Sequence, residues 1–116
     1  MGVKRIVANI ATANVIDAGK FYGDLLGLHE LMNIGWFVSY GADTKMTVQI
    51  NFASEGGSGT VVPDLSIEVD DATAIYTDMK QAGFTIEYEL TDEPWGVRRF
   101  YVRDPFGKLV NIMSHI

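Results

Sequence analysis

Few residues in this chain are equipped for chemistry, and their types narrow the options. There is no cysteine, so disulfides, thiolate catalysis and zinc–thiolate sites are excluded. The two histidines, His29 and His115, lie far apart in sequence, and each is expected to be exposed or structural. No serine–histidine–acid order is visible. The run Gly56-Gly57-Ser58-Gly59 lacks the lysine and helix start of a phosphate-binding loop. A general base would have to come from Asp64, Glu68 or a tyrosine. Asp64 is the best placed of these, as a base, a cation clamp or a surface acid; the sequence leaves the three roles open. Trp36 and Trp95 offer stacking surfaces or packing groups. Arg98 and Arg99 could meet an anionic or carbonyl-bearing ligand, or bridge to Glu87, Glu89 or Glu93 at the surface.

The chain that must position these groups has 116 residues, 47% hydrophobic and 21% charged. That suits one globular domain with a modest core and argues against disorder. A net charge of −6 disfavours nucleic acid, which needs a basic footprint. No apolar run approaches the length of a membrane span, and Met1–Arg5 does not open a signal peptide. A soluble, cytoplasmic protein is the expectation, with no membrane or nucleic-acid partner.

The hydrophobic pattern predicts the same order of elements twice. Val3–Thr12 alternates as a strand. Asn14 is placed to cap a helix carrying Val15, Ala18, Phe21, Tyr22, Leu25 and Leu26 at helical spacing, with Gly27 at its end. Strands are predicted at Leu28–Met32, Trp36–Tyr40 and Thr47–Phe52. The turn-rich stretch Ser54–Gly59 reads as a linker or mobile loop. A second strand, Asp64–Val69, precedes a helix capped by Asp70 or Asp71 and ended by Gly83. Strands follow at Thr85–Leu90, Arg98–Arg103 and Leu109–Met113, with a turn at Asp104-Pro105-Phe106-Gly107. An internal duplication explains the pattern, with a first module over about 1–53 and a second over about 62–116 of a single 1–116 domain.

Three segments carry a family resemblance. Phe21-Tyr22-Gly23-Asp24-Leu25-Leu26-Gly27-Leu28 is similar to the first-helix signature of the glyoxalase/bleomycin resistance/dioxygenase (vicinal oxygen chelate) superfamily. Asp64-Leu65-Ser66-Ile67-Glu68-Val69-Asp70-Asp71 resembles the strand that opens its second module. Trp95 to Ile112 resembles its C-terminal block. The resemblance implies an α+β fold, with two βαβββ modules forming a cup-shaped mixed sheet, often in a homodimer. The cup is where such proteins bind or transform small molecules.

The resemblance also implies four metal-ligand positions, which fall near Val7 and at Gln49, Asp64 and Asn111. Only Asp64 carries a charge there, so no transition-metal site and no cofactor are expected. Residues in phase with these positions would line the cup. The expected ligand-binding set is Asn9, Gln49, Asn51, Asp64, Arg99, Tyr101, Asn111 and Met113, with Trp95 stacking on the ligand. The function implied is metal-independent binding of a small molecule, as in the antibiotic-resistance branch. Two alternatives stand beside it. One is a metal-dependent lyase, isomerase or dioxygenase with a degenerate site. The other is a regulatory or structural dimer whose cup is vestigial.

Overall fold

The structure, a computed structural model, describes residues 7–42 and 51–116. Among the described residues it is a mixed α+β chain with six strands in two sheets and one α-helix. The chain divides into two compact units, Met1–Ala53 and Ser54–Ile116. No helix among the described residues is long and apolar enough to cross a membrane.

In the first unit, residues 7–12 are irregular rather than the predicted strand. Val7 is more than half exposed, and no described strand pairs with this segment. The Val3–Ile6 part of that prediction lies outside the described residues. The helix also differs from expectation. A 3-10 turn, Val15–Asp17, leads into a π-helical stretch, Gly19–Leu25. Glycines at 19 and 23 lower the preference for a tight α-helix, and the wider coil is closed by Leu26 N–H donating to Phe21 O at 3.1 Å. Asn14 makes no side-chain cap. Gly27 ends the stretch at φ +74°, as the sequence predicts. Two strands follow, β1 (His29–Asn33) and β2 (Val38–Gly41), paired antiparallel with a bulge between Glu30 and Met32. Of the last predicted strand, Thr47–Ile50 lie outside the described residues, and Asn51 and Phe52 are irregular.

The second unit follows its predicted order closely. It comprises β3 (Leu65–Glu68), α1 (Ala72–Gln81), β4 (Ile86–Asp92), β5 (Val97–Arg103) and β6 (Leu109–His115). The sheet order is β3-β6-β5-β4. β3 runs parallel to β6, while β5 is antiparallel to both β6 and β4. Asp71, rather than Asp70, caps α1 by accepting from Ala74 N–H at 3.2 Å. At the other end Phe84 N–H reaches Met79 O at 3.1 Å and Gly83 N–H reaches Lys80 O at 3.2 Å. That paired closure needs the left-handed Gly83, φ +87°. The buried Ser114 hydroxyl accepts from Ala72 N–H at 3.2 Å and ties the start of α1 to β6.

Alternation along the strands separates two faces. Phe100, Val102, Val110 and Ile112 are fully buried, as are Ala72 and Met79 of the helix. Tyr76 of α1 meets Phe100 edge-on, with ring centroids 5.2 Å apart. Burying these side chains is the main stabilising term of the unit. The opposite face, one residue out of phase, carries the polar groups.

Candidate functional site

Strand register assembles that polar face. Tyr101 lies opposite Asn111, and Arg99 opposite Met113, across β5 and β6. Ser66 and Glu68 of β3 stand beside Asn111 and Met113. Tyr88 and Thr91 of β4 stand beside Tyr101 and Arg99. Because directly opposed residues in a sheet share a face, the register brings five of these groups together: Arg99, Tyr101, Asn111, Ser66 and Tyr88.

Arg99 is the centre of the group, and it is only 4% exposed. Its Nε donates to Glu93 Oε2 at 2.8 Å, and its Nη2 lies 2.7 Å from the same oxygen. Nη1 donates to Gly56 O at 2.8 Å and to the Tyr101 hydroxyl at 2.9 Å, and Nη2 to Gly57 O at 3.2 Å. The guanidinium carbon also sits 5.2, 5.1 and 5.0 Å from the ring centres of Tyr88, Trp95 and Tyr101. A weakly hydrated, planar cation is the group suited to such a setting. Glu93, 5% exposed, is held in turn by Ser58 Oγ at 3.1 Å and by the Tyr88 hydroxyl at 3.3 Å. A tight turn presents Trp95. Glu93 N–H donates to Val97 O at 2.8 Å and Gly96 N–H to Glu93 O at 3.1 Å, with Gly96 at φ +89°. Trp95 thereby rests on Arg99 while remaining half exposed.

Asn111 supplies a second feature. The residue is 6% exposed; its Nδ2 donates to Ser66 Oγ at 3.1 Å, and its Oδ1 has no hydrogen-bond partner among the described residues. A buried acceptor without a donor is costly and seeks one. Met113, half-buried, flanks it on β6.

Among the other expected residues, Asp64 is the one that belongs to this unit. Asp64 is exposed just before β3; its Oδ2 accepts from Leu109 N–H at 2.8 Å, while its own N–H donates to Leu109 O at 2.8 Å. It therefore closes the end of the β3–β6 ladder. Asn9 and Asn51 are exposed residues of the first unit, and Gln49 lies outside the described residues. The arginine pair divides. Arg98 takes the surface fate, with Nε 2.6 Å from Asp92 Oδ1. Arg99 pairs with Glu93, but inside the unit rather than at its surface. Sequence reasoning weighed Glu93 only as a surface partner, and it missed Ser58, Thr60 and the carbonyls of Gly56 and Gly57. The readable signal was parity: Tyr88, Arg99 and Tyr101 fall in phase once β4 and β5 are paired.

A metal does not fit these donors. No cluster of three or more histidine, aspartate or glutamate side chains occurs among the described residues. Asp64 already accepts a backbone N–H, Asn111 offers one neutral oxygen, and Val7 offers hydrocarbon. Such a set is a poor match for zinc, nickel or iron. His29 and His115 are both exposed, and His115 lies 3.7 Å from Glu68.

Two surface groups on the helix side are shifted by their neighbours. The Arg98 guanidinium holds the Asp92 carboxyl below its ordinary value. Hydrogen bonding to the Tyr76 hydroxyl, helped by Glu89, raises Lys80. In the first unit a hollow of about 240 Å³ is lined by Glu30, Tyr40 and Asn33 among others, without a basic group.

Comparison with known proteins adds the following. Residues 5–112 match the profile of the Glyoxalase/Bleomycin resistance protein/Dioxygenase superfamily. No curated protein sequence matches. Among solved structures, TioX from Micromonospora sp. ML1 is similar, at 20% identity and TM-score 0.64, covering 96% of this chain and 95% of its own. A superfamily member from Sphaerobacter thermophilus has 19% identity and TM-score 0.62, with 99% and 98% covered. Lactoylglutathione lyase from Agrobacterium tumefaciens has 16% identity and TM-score 0.64, with 97% and 92% covered. At these identities the likeness concerns the fold alone.

Proposed function

The chain belongs to the Glyoxalase/Bleomycin resistance protein/Dioxygenase superfamily, and from that premise we propose that it binds a small molecule without a metal, using the polar sheet face of its second unit. The observation that carries this reading is the chemistry of that face. A neutralised Arg99–Glu93 pair lies among three aromatic rings, and a buried, unpartnered acceptor stands on the adjacent strand at Asn111. These groups recognise and orient; none of them is an evident metal ligand or an activated nucleophile.

Trp95 supplies a stacking surface, Tyr101 a hydroxyl, Asn111 an acceptor and Met113 a soft apolar contact. Asp64 adds a carboxylate at the end of the β3–β6 ladder. The working form is a cytoplasmic homodimer. Leu31, Met32, Ile34 and Trp36 of the first unit are all more than half exposed, and apolar groups crowded into one short stretch favour a protein partner.

A native mass spectrum of untagged protein, purified without added metal or chelator, tests the proposal. The expected result is a dimer with no stoichiometric transition metal, carrying a retained organic mass or accepting one. One metal ion per subunit would contradict it and would favour lyase or dioxygenase chemistry.

A further inference from the structure

The segment before β3 makes an unusual contact with the polar face. It was expected to be a linker or a mobile loop, yet it is tied down. Gly56 N–H donates to Thr60 O and Thr60 N–H to Gly57 O, both at 2.9 Å. The Thr60 hydroxyl reaches Gly57 O at 2.7 Å and the Tyr101 hydroxyl at 2.9 Å. Gly56 and Gly57 pack against the strap's own Thr60 and Val61 and against Tyr101 and Trp95, so that only glycine fits at these two positions. A Cβ on Gly56 would stand 2.1 Å from Val61 O and 2.6 Å from the Tyr101 hydroxyl oxygen. A Cβ on Gly57, at φ +84°, would stand 2.8 Å from the Trp95 ring.

The approach places two consecutive amide carbonyls on the free donors of Arg99. Glu93 already balances the arginine charge. The donors left over therefore suit neutral acceptors, whereas a second carboxylate beside Glu93 would meet like-charge repulsion. The strap is held by polar bonds and not by apolar packing. Gly56, Gly57, Ser58 and Gly59 bring no hydrocarbon to bury, and the following Val61 and Val62 are exposed. Polar bonds of this kind can be exchanged one for one with another molecule at small net cost, and segments poor in apolar contacts open at low free energy.

We propose that the Gly56–Gly57 strap is an internal occupant of the binding site, its two carbonyls holding the places of a ligand's carbonyl oxygens. The ligand class is then an uncharged, carbonyl-bearing molecule such as an amide, and the strap withdraws from Arg99 when it binds. This inference rests on the proposed binding role of the same face.

The test uses N-acetylglycinamide, whose two amide carbonyls reproduce the spacing in the strap, and N-acetylglycinate as its anionic counterpart. Amide hydrogen exchange is followed by NMR at Gly56 and Thr60, with Phe100 and Ile112 as core references. The amide probe should speed exchange at Gly56 and Thr60 and leave the references unchanged. Gly57→Ala, which props the strap away from Trp95 without altering Arg99, should bind the amide probe roughly tenfold more tightly than the parent, because the open state no longer has to be populated first. N-acetylglycinate should do neither. Unchanged strap exchange, equal or absent binding of the amide probe to the parent and Gly57→Ala, or preference for the anion would each overturn the inference. Should Gly57→Ala fail to fold, exchange in the parent with the two probes decides alone. A copurifying ligand together with unresponsive strap amides would sink this inference and leave the binding role standing.

Discussion

The two units of the chain use similar numbers of apolar residues differently. In the second, Phe100, Val102, Val110, Ile112 and Met79 are fully buried between α1 and the sheet. In the first, only Phe21 and Tyr22 are buried among the described residues, and all five residues of β1 are exposed. The difference is one of closure. The second unit covers one sheet face with a capped helix and the other with the Gly56–Thr60 strap, so its burial is internal. The first presents a hairpin whose Leu31, Met32, Ile34 and Trp36 lack cover among the described residues. One unit thus closes its core internally, while the other leaves apolar side chains exposed.

Substitutions in the two regions should separate these roles. The largest expected effect is Phe100→Ala, which removes a fully buried ring and should lower unfolding free energy by about 3–5 kcal/mol in chemical denaturation. Glu93→Gln should cost about 3 kcal/mol by leaving the Arg99 charge buried without its counter-ion. It should also raise exchange at Gly56 and Thr60, because Ser58 loses its anionic acceptor. Asp71→Ala should cost about 1 kcal/mol through loss of the helix cap. Trp36→Ala, by contrast, should change subunit stability by less than about 0.5 kcal/mol while weakening dimerisation in sedimentation experiments. If Trp36→Ala destabilised the chain as much as Phe100→Ala, the contrast between the units would fail.

The smallest effect concerns acid. Arg98 lowers the Asp92 carboxyl below its ordinary value of 3.8, so the folded state binds fewer protons there than the unfolded state. The contribution is fully present above 3.8 and is lost as pH falls through the lowered value. The pair is exposed and screened, so Asp92→Asn should flatten only the acid limb of a stability–pH curve, and only slightly.

Much of the second unit was legible in sequence because its signals are local. Alternation at Leu65, Ile67 and Val69, a cap at Asp70 or Asp71, a glycine stop at Gly83 and the Asp104–Gly107 turn each fix structure within a few residues. The structure bears this turn out, with Gly107 N–H donating to Asp104 O at 3.1 Å and Asp104 Oδ1 accepting from Lys108 N–H at 2.8 Å. The first unit was less legible. Helical spacing over Val15–Leu26 cannot distinguish an α-helix from the π-helical stretch that two glycines permit, and alternation at Ile6, Ala8 and Ile10 cannot supply a strand with a partner. The site was half legible. Parity put Arg99, Tyr101, Asn111 and Met113 on one face. It could not show that Glu93 turns inward to neutralise Arg99. Nor could glycine content reveal that Gly56 and Gly57 approach the sheet closely, since the same residues also make flexible linkers.

Metal-independent binding of a small molecule to the polar face of the second unit is the proposal most in need of a direct test. Chemical-shift mapping of the protein against a small-molecule library, before and after treatment with chelator, tests this. Shifts at Trp95, Arg99, Tyr101 and Asn111 that survive chelation are expected. Shifts that vanish with chelator, or that map instead to Tyr76, Lys80 and Glu89 on the helix side, would contradict it.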